Sequence, residues 1–238
     1  MSGRALPAPL AARTVPGPAA LSRRRLVLGA SLAPLAMSIH QSAHAGAQIE
    51  EPLIDSVRTA LSSAIHNKAP PIPEFSDTES RLRYLRWLGA MSERLLKKVP
   101  DWPTRKELLQ TIWYESKRSG LDVSLVLGLV QVESNFRKFA VSSAGARGYM
   151  QVMPFWTRVI GDSDPTKLFH MQTNLRFGCV ILRHYLQREN GDLFMTLGRY
   201  NGSRGRSPYP DAVFANQRPW LFADRTPDKI PPVAPPRG

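Results

Sequence analysis

The sequence has a single cysteine, Cys179, among its 238 residues. One thiol can form neither an intrachain disulfide nor a metal site built from several cysteines. Cys179 shares a stripe of helical spacing with Leu175 and Leu182, which predicts a small buried core residue rather than a reactive thiol. We expect no metal and no cofactor.

The chain also lacks the alternation of apolar and polar residues that is typical of β-strands, and it has no internal repeat. Several segments instead place apolar residues three and four positions apart, as amphipathic helices do. The sequence therefore predicts a mainly α protein.

The apolar run from Leu26 to about Ile39 is too short to span a bilayer as a stable helix. It follows Arg23-Arg24-Arg25 and precedes Ala43-His44-Ala45, a small-x-small cleavage pattern. Residues 1–45 are therefore expected to be a cleavable signal peptide. The paired arginines and the mild apolar region favour a twin-arginine signal over an ordinary Sec signal. Either route leads out of the cytoplasm, and we expect a periplasmic protein.

Acidic residues are absent from these first 45 positions, and the whole chain has a formal net charge of +13. Without the five arginines of this segment, 27 basic residues face 19 acidic ones. A basic surface attracts nucleic acid, anionic lipid or the carboxylate-bearing cell wall. Because the chain has no zinc-finger spacing, basic-region heptad or RNP-like strand, we expect no nucleic-acid partner.

The remaining chain divides into three parts. Residues 46–100 are expected to form a helical accessory segment with a Pro-rich linker at 69–73, residues 101–225 the main domain, and residues 226–238 a disordered Pro-rich tail. The accessory segment could pack on the main domain or serve as a docking element for a partner, and the sequence leaves both readings open.

Helix boundaries follow from apolar spacing and capping residues. Helices are predicted over 52–66, from Asp77 to about Val99, from Thr104 to Gly120, from Asp122 to Val132, and over 172–188 and 192–200. In the second helix the expected apolar face consists of Leu82, Leu85, Leu88, Leu95 and Leu96. The third matches a capping box, Thr104-Arg105-Lys106-Glu107.

One carboxylate stands on an apolar helix face. Val126, Leu129, Val130 and Glu133 occupy positions i, i+3, i+4 and i+7, so Glu133 projects from the apolar stripe. Apolar surroundings and the C-terminal end of a helix both raise the pKa of a carboxyl group. A carboxyl group that stays protonated near neutral pH can protonate a glycosidic oxygen. The segment alone is equally compatible with a glutamate exposed at a frayed helix end.

Two later segments favour the first interpretation. Glu133-Ser134-Asn135-Phe136 is followed by Gly145-Ala146-Arg147-Gly148-Tyr149-Met150-Gln151 and, about fifty residues later, by Arg199-Tyr200-Asn201-Gly202. In this order and spacing the three pieces resemble the lytic transglycosylases of the soluble-lytic-transglycosylase (SLT) family over roughly residues 105–205. Glu115-Ser116 repeats the first pair, but it stands on a polar stretch with no glycine-rich segment behind it.

The resemblance implies a lysozyme-like catalytic domain with Glu133 as its single catalytic acid and base. Ser134 is expected to help hold the substrate, and the hydroxyl of Tyr200 to support Glu133. The candidate substrate-binding residues are Ser134, Gly148, Tyr149, Met150, Gln151, Tyr200 and Asn201. For Tyr149 and Tyr200, packing in the core is the alternative interpretation.

The sequence departs from the family pattern at three positions. Tyr149 replaces the usual leucine, Arg199 replaces the usual alanine, and Ser203 stands where alanine often precedes glycine. None of these changes removes a chemical group that the mechanism requires, but they affect the shape and charge of the cleft.

The reaction implied by the resemblance is cleavage of the β-1,4 bond between N-acetylmuramic acid and N-acetylglucosamine in peptidoglycan, with formation of 1,6-anhydromuramoyl ends. A lysozyme-like hydrolase would need a second carboxylate, for which Asp162, Asp164 and Asp192 are the nearby candidates. A third hypothesis is a non-catalytic wall-binding or assembly protein. The expected partners are glycan strands and proteins of the cell envelope or a secretion complex, in wall turnover or in secretion.

Overall fold

The computed structural model describes residues 48–53, 55–66 and 73–224, and these residues form helices and no β-strand. The helices are α1 (Asp55–His66), α2 (Thr78–Leu95), α3 (Trp102–Arg118), α4 (Val123–Ser134), α5 (Phe155–Ile160), α6 (Met171–Arg188), α7 (Leu193–Asn201) and α8 (Pro208–Gln217), with 3-10 helices at Pro165–Phe169 and Arg218–Trp220. The predicted mainly α fold is confirmed. The expected signal peptide at 1–45, residues 69–72 of the linker and the tail at 226–238 lie outside the described residues.

Helix α4 lies in the core because almost every one of its positions is apolar. Val126, Leu129 and Val130 are fully buried, and both α3 and α8 pack against this helix. The carboxylate of Asp122 accepts a hydrogen bond from the backbone N–H of Leu125 at 3.0 Å, which caps the first turn as predicted. The helix therefore carries Glu133 into the interior in its last turn.

Helices α4 and α8 approach each other closely at Gly128. A Cβ atom at this position would lie 2.7 Å from the backbone nitrogen of Gln217, so the contact requires a glycine. Two side-chain hydrogen bonds hold the same crossing. Gln131 donates to Asn216 at 2.6 Å, and Trp220 donates to Gln131 at 2.9 Å. This crossing fixes where the first turn of α8 meets the last turn of α4.

Helix α2 turns a different face inward than its leucines predict. Leu88 and Leu95 are buried as expected. The prediction is wrong for Leu82, Leu85 and Leu96, because 43–50% of their surface is exposed. The buried face instead includes Tyr84 and Trp87, and the ring of Trp87 lies 4.7 Å from that of Trp113 on α3. Aromatic rings bury more apolar area than leucine does, and they determine the rotation of the helix.

Helix α3 begins earlier than predicted. Asp101 is its N-cap and accepts a hydrogen bond from the backbone N–H of Thr104 at 2.9 Å, with Pro103 in the first turn. The predicted capping box at Thr104 is therefore wrong. Proline needs no hydrogen-bond partner in the first turn, which lets the helix start before Thr104. The predicted cap at Asp77 is confirmed, with Ser80 donating its N–H at 2.7 Å.

The N-terminal part of the described chain packs on the segments that carry the motifs. Helix α1 contacts α5 and α6. Ahead of it, residues 48–53, which we call the N-terminal strap, are held by side-chain contacts. Gln48 accepts a hydrogen bond from the indole of Trp156 at 3.0 Å, and Glu51 pairs with Arg199 at 2.7 Å. Among the helices described above, none combines the length and apolar character needed to cross a bilayer.

Candidate active site

The side chain of Glu133 is enclosed by the core. The residue is only 5% exposed, and its Oε2 has no hydrogen-bond partner among the described residues. Burial raises the pKa of Glu133 to about 8, and a hydrogen bond from Tyr209 offsets part of that effect. The predicted burial and raised pKa are thus both present. A carboxyl group that remains protonated at neutral pH is suited to act as a general acid.

The hydroxyl of Tyr209 donates a hydrogen bond to Oε1 of Glu133. Tyr209 stands between Pro208 and Pro210 in the first turn of α8 and is itself buried. Burial and the neighbouring Glu133 hold the pKa of this phenol well above its usual value. Tyr209 was not predicted from the sequence. The proline at the start of a helix was an available signal, but no local pattern connects this tyrosine with Glu133.

Tyr200 does not make the contact that was expected of it. This residue is fully buried, and its hydroxyl donates to the carbonyl oxygen of Met150 at 2.8 Å. Burial raises the pKa of Tyr200 well above its usual value, with a smaller contribution from the nearby charge of Glu133. The expected support of Glu133 by the Tyr200 hydroxyl is therefore corrected, because Tyr209 makes that contact. Tyr200 instead fastens residues 145–151, which we call the glycine-rich turn, to α7.

Ser134 also contacts backbone rather than open space. It is 1% exposed, and its Oγ lies 2.8 Å from the carbonyl oxygen of Tyr149 and 3.1 Å from that of Val130. The expectation that Ser134 helps to hold the substrate stays a prediction for this buried side chain. Its hydroxyl joins the end of α4 to the glycine-rich turn.

The glycine-rich turn is held against α6 by Asn174. Gly148 has a φ of +74°, and a Cβ atom there would lie 2.4 Å from Nδ2 of Asn174. Glycine is therefore required for packing in this position. Asn174 accepts from the N–H of Met150 and donates to the carbonyl oxygens of Arg147 and Leu168, each at 2.8 Å. This fully buried residue was not predicted from the sequence either.

The remaining candidates are all buried. Met150 is fully buried and Tyr149 is 2% exposed, so both contribute to packing. Gln151, with a φ of +48°, donates from Nε2 to the carbonyl oxygen of Gly148 at 2.9 Å. Asn201 ends α7, and its buried Oδ1 has no hydrogen-bond partner among the described residues. A buried acceptor without a partner is unusual, and a substrate amide or hydroxyl could supply the donor.

The other buried carboxylate that shares the Glu-Ser pattern has cationic partners. Glu115 is fully buried, and its two oxygens lie 3.0 Å from Arg176 and 3.4 Å from Arg118. No ion pair of this kind joins Glu133 to a lysine or arginine in the described part of the chain. Burial raises the pKa of Glu115 as well, but Arg176 and Arg118 offset part of that effect. Glu133 has no such cationic partner among the described residues, and its pKa is raised to about 8.

The three aspartates considered as second carboxylates already have partners within the chain. Asp162 pairs with Lys167. Asp164 accepts from the N–H of Thr166 at 2.9 Å, and Asp192 accepts from the N–H of Met195 at 3.0 Å. The contacts of these side chains do not suggest a partner for Glu133 in a two-carboxylate hydrolysis.

Parts of this chain are similar to known proteins. Residues 110–210 match the family model described as the transglycosylase SLT domain. A membrane-bound lytic murein transglycosylase C from Glaesserella parasuis is 59% identical over 39 residues, which cover 16% of this chain and 11% of that protein. A transglycosylase of Enterobacteria phage PRD1 is 33% identical over 117 residues, which cover 45% of this chain and 42% of that protein.

Among solved structures, an inactive mutant of the lytic transglycosylase Slt from Pseudomonas aeruginosa aligns with a TM-score of 0.38 and 24% identity, covering 58% of this chain and 26% of that one. The chain spans less than half the length of the curated relatives given above. The matched segment contains Glu133, the glycine-rich turn and Tyr209. Residues 110–210 of this chain are similar to the transglycosylase SLT domain, as the resemblance implied.

Proposed function

We propose that this protein is a lytic transglycosylase that cleaves the glycan strands of peptidoglycan, with Glu133 as its catalytic acid and base. The observation that carries the proposal is the buried carboxyl group of Glu133, which has a hydrogen-bond donor in Tyr209 and no cationic partner among the described residues. Burial raises its pKa to about 8. The SLT domain over residues 110–210 and the named activities of the similar proteins support the substrate class. The Glaesserella protein is named as a membrane-bound murein transglycosylase, which also supports action outside the cytoplasm.

In the proposed first step, Glu133 donates its proton to the oxygen that bridges C1 of N-acetylmuramic acid and C4 of N-acetylglucosamine, and the C1–O bond breaks. The acetamido group of the muramoyl residue stabilises the positive charge at C1. Glu133 is now a carboxylate, and the hydrogen bond from Tyr209 stabilises that charged form.

In the second step, Glu133 removes the proton from the C6 hydroxyl of the same muramoyl residue, and the oxygen attacks C1. The products are a 1,6-anhydromuramoyl end and a free C4 hydroxyl, and no water is consumed. One carboxyl group suffices because the nucleophile is part of the substrate and is already positioned. Asp162, Asp164 and Asp192 are not needed for this route.

The test is to digest purified sacculi with the parent protein and with Glu133→Gln, and to identify the released muropeptides by mass. Anhydromuropeptides from the parent and none from the variant are expected. Muropeptides with reducing ends would make the protein a hydrolase and overturn the proposed mechanism. Release from neither protein would favour the wall-binding or assembly hypothesis.

A control variant distinguishes the role of Glu133 from damage to the fold. Asp192→Asn changes a carboxylate that caps α7, and it is expected to retain the same products. Circular dichroism of both variants would show that the helices are intact.

A further inference from the structure

The N-terminal strap, residues 48–53, is connected to the two segments that carry the later motifs, the glycine-rich turn and α7. The strap contains no helix, and side chains supply the contacts that hold it. Its first residue, Gln48, is polar but only 5% exposed. A polar side chain is buried to this degree where protein groups replace its hydrogen bonds to water. The partners of Gln48 therefore identify the segments that the strap joins.

Gln48 holds the residues that follow the glycine-rich turn. Its Oε1 accepts a hydrogen bond from the indole N–H of Trp156 at 3.0 Å and a longer one from the backbone N–H of Met153 at 3.4 Å. Met153 follows Val152, which exchanges two backbone hydrogen bonds of 3.0 Å with Arg147 inside the turn. A displacement of Met153 would therefore pass directly to the turn.

Gln48 also acts on the tyrosine that fastens the turn to α7. Burial raises the pKa of Tyr200, and a side-chain hydrogen bond from Gln48 opposes that rise. The Tyr200 hydroxyl itself donates to the carbonyl oxygen of Met150 at 2.8 Å. Gln48 therefore acts on both of the segments that the Tyr200 hydrogen bond joins.

Glu51 ties the strap to α6 and α7. Its Oε1 lies 2.7 Å from Arg199 on α7, and its Oε2 lies 2.5 Å from Arg188 at the end of α6. Arg199 directly precedes Tyr200 and Asn201, and it stands where the family pattern has alanine. Alanine has no group that could pair with Glu51. The connection between the strap and α7 is therefore made through a motif position at which this chain differs from the pattern.

Two neighbouring glutamates of the strap differ in burial. The side chains of Glu51 and Arg199 are 29% and 16% exposed, whereas Glu50 and Arg158 pair at 3.2 Å with side chains 53% and 60% exposed. Solvent and salt weaken an exposed ion pair much more than a largely buried one. Glu51 therefore restrains α7, while the pair of Glu50 with Arg158 on α5 contributes little.

We propose that the N-terminal strap is a positioning element of the active site, in which Gln48 holds the glycine-rich turn and Glu51 holds α7 in the places that catalysis at Glu133 requires. The two residues act through the segments that they hold and need not touch the substrate. This inference rests on the proposed function and adds to it a requirement for residues that precede the SLT match at 110–210. Misplaced groups around a reacting bond slow the chemical step.

The experiment measures kcat and KM separately on solubilised glycan strands. The proteins are the parent, Gln48→Met, Glu51→Gln and the double variant. Methionine keeps the length of Gln48 without its hydrogen-bond acceptor, and glutamine keeps the shape of Glu51 without its charge. The matched control is Glu50→Gln, which makes the same change one residue earlier and affects only the exposed pair with Arg158. Urea unfolding shows that each protein is folded under the assay conditions.

We expect each strap variant to lower kcat about fivefold while KM stays within about twofold of the parent, and the double variant to lower kcat further. Glu50→Gln should change neither constant by more than about twofold. If Gln48→Met does not fold, Glu51→Gln decides the question alone, because it removes one charge from a partly exposed side chain and leaves no cavity.

Three results would overturn the proposal. An unchanged kcat together with a lower urea midpoint would show that the strap only stabilises the fold. A raised KM with an unchanged kcat would show that it acts on substrate binding. A loss of kcat of the same size in Glu50→Gln would show that the effect does not depend on the contact with Arg199.

A failure of the proposed function gives a different pattern, because the parent would then cleave no glycan. The strap is judged in that case by amide hydrogen exchange of the parent and the double variant. Exchange that is about tenfold faster at Met150 in the turn, with Val130 in α4 unchanged, supports positioning by the strap. Unchanged exchange at Met150, or equal acceleration at both residues, overturns it.

Discussion

Tyr209 donates its hydroxyl hydrogen bond to Glu133 across 76 positions of sequence, from the first turn of α8 to the last turn of α4. A neutral donor of this kind stabilises the carboxylate without removing the proton at neutral pH. A lysine or arginine in the same place would lower the pKa much further. The pair therefore suits a group that must give up a proton and then take one back.

The first prediction concerns the pH dependence of activity. Since Glu133 must be protonated to act as an acid and burial raises its pKa to about 8, kcat/KM should fall above about pH 8. The hydrogen bond from Tyr209 lowers this pKa, so Tyr209→Phe should move the alkaline limb to higher pH, by about one unit. The measurement is the pH profile of kcat/KM on sacculi.

Tyr200→Phe is the matched control for this profile. It removes a hydroxyl that bonds to the Met150 carbonyl rather than to Glu133, so it should lower stability and leave the alkaline limb in place. A limb that moves in Tyr200→Phe and stays fixed in Tyr209→Phe would restore the role first expected of Tyr200.

The second prediction concerns stability. The pKa of Glu133 is about 8 in the folded chain and 4.5 when unperturbed, so the unfolded state loses this proton first as the pH rises. The contribution of Glu133 to stability is therefore lost progressively between about pH 4.5 and pH 8. Glu133→Gln removes the cost of burying a charged carboxylate. Its free energy of unfolding should therefore exceed that of the parent by about 3–5 kcal/mol at pH 9.

Urea unfolding of both proteins at pH 5 and pH 9 checks this difference. The gain of Glu133→Gln over the parent should be small at pH 5 and large at pH 9. An equal gain at both values would show that the glutamine improves packing and that the ionisation of Glu133 is not responsible.

The third prediction concerns the glycine-rich turn. Gly148 and Gly145 both have positive φ angles, of +74° and +85°. A Cβ atom at 148 meets Asn174, while one at 145 has nothing within 4 Å. Gly145→Ala should therefore cost about 1 kcal/mol from backbone strain alone. Gly148→Ala should cost about 3 kcal/mol or more, because Asn174 must also move.

The measurement is the urea midpoint of each glycine variant, together with its activity on sacculi. Gly148→Ala should also lose activity, since Asn174 holds the turn through three hydrogen bonds. Equal midpoints for the two variants would contradict the close packing at Gly148.

The fourth prediction concerns the N-terminal strap. Arg199 is largely buried and pairs with Glu51 at 2.7 Å, whereas Arg158 pairs with Glu50 at 3.2 Å with both side chains more than half exposed. A double-mutant cycle with Arg199→Ala and Glu51→Gln should give a coupling energy of about 1 kcal/mol. The same cycle with Arg158→Ala and Glu50→Gln should give a value near zero. Similar coupling energies in the two cycles would show that burial does not distinguish these pairs.

Local patterns in the sequence were sufficient to predict much of the helical framework. Asp77 and Asp122 predict where two helices begin. An N-cap carboxylate accepts hydrogen bonds from the free N–H groups of the next few residues, which is a local interaction. The spacing of Val126, Leu129 and Val130 places Glu133 on the buried face for the same reason. The burial of Cys179 follows from its stripe in α6 and is confirmed.

The features that were missed depend on contacts between distant segments. Tyr209 reaches Glu133 only because α8 crosses α4, and Asn174 holds the glycine-rich turn only because α6 packs behind it. The resemblance to the SLT family assigned the contact with Glu133 to Tyr200. The charge of Glu133 does act on Tyr200, but the Tyr200 hydroxyl donates to the carbonyl oxygen of Met150. Residue type and spacing do not show which of the two tyrosines, Tyr200 or Tyr209, directs its hydroxyl at Glu133.

Through Gly128, the pKa of Glu133 depends on the distance between α4 and α8. Because a Cβ atom at 128 would meet the backbone of Gln217, a larger residue would push α8 outward, and Tyr209 would move with it. The proton of Glu133 would then be held more tightly, although no residue that touches the carboxyl group had changed. The working pH of this domain could therefore be tuned by natural variation or by engineering at a helix crossing one and a half turns from the proton itself.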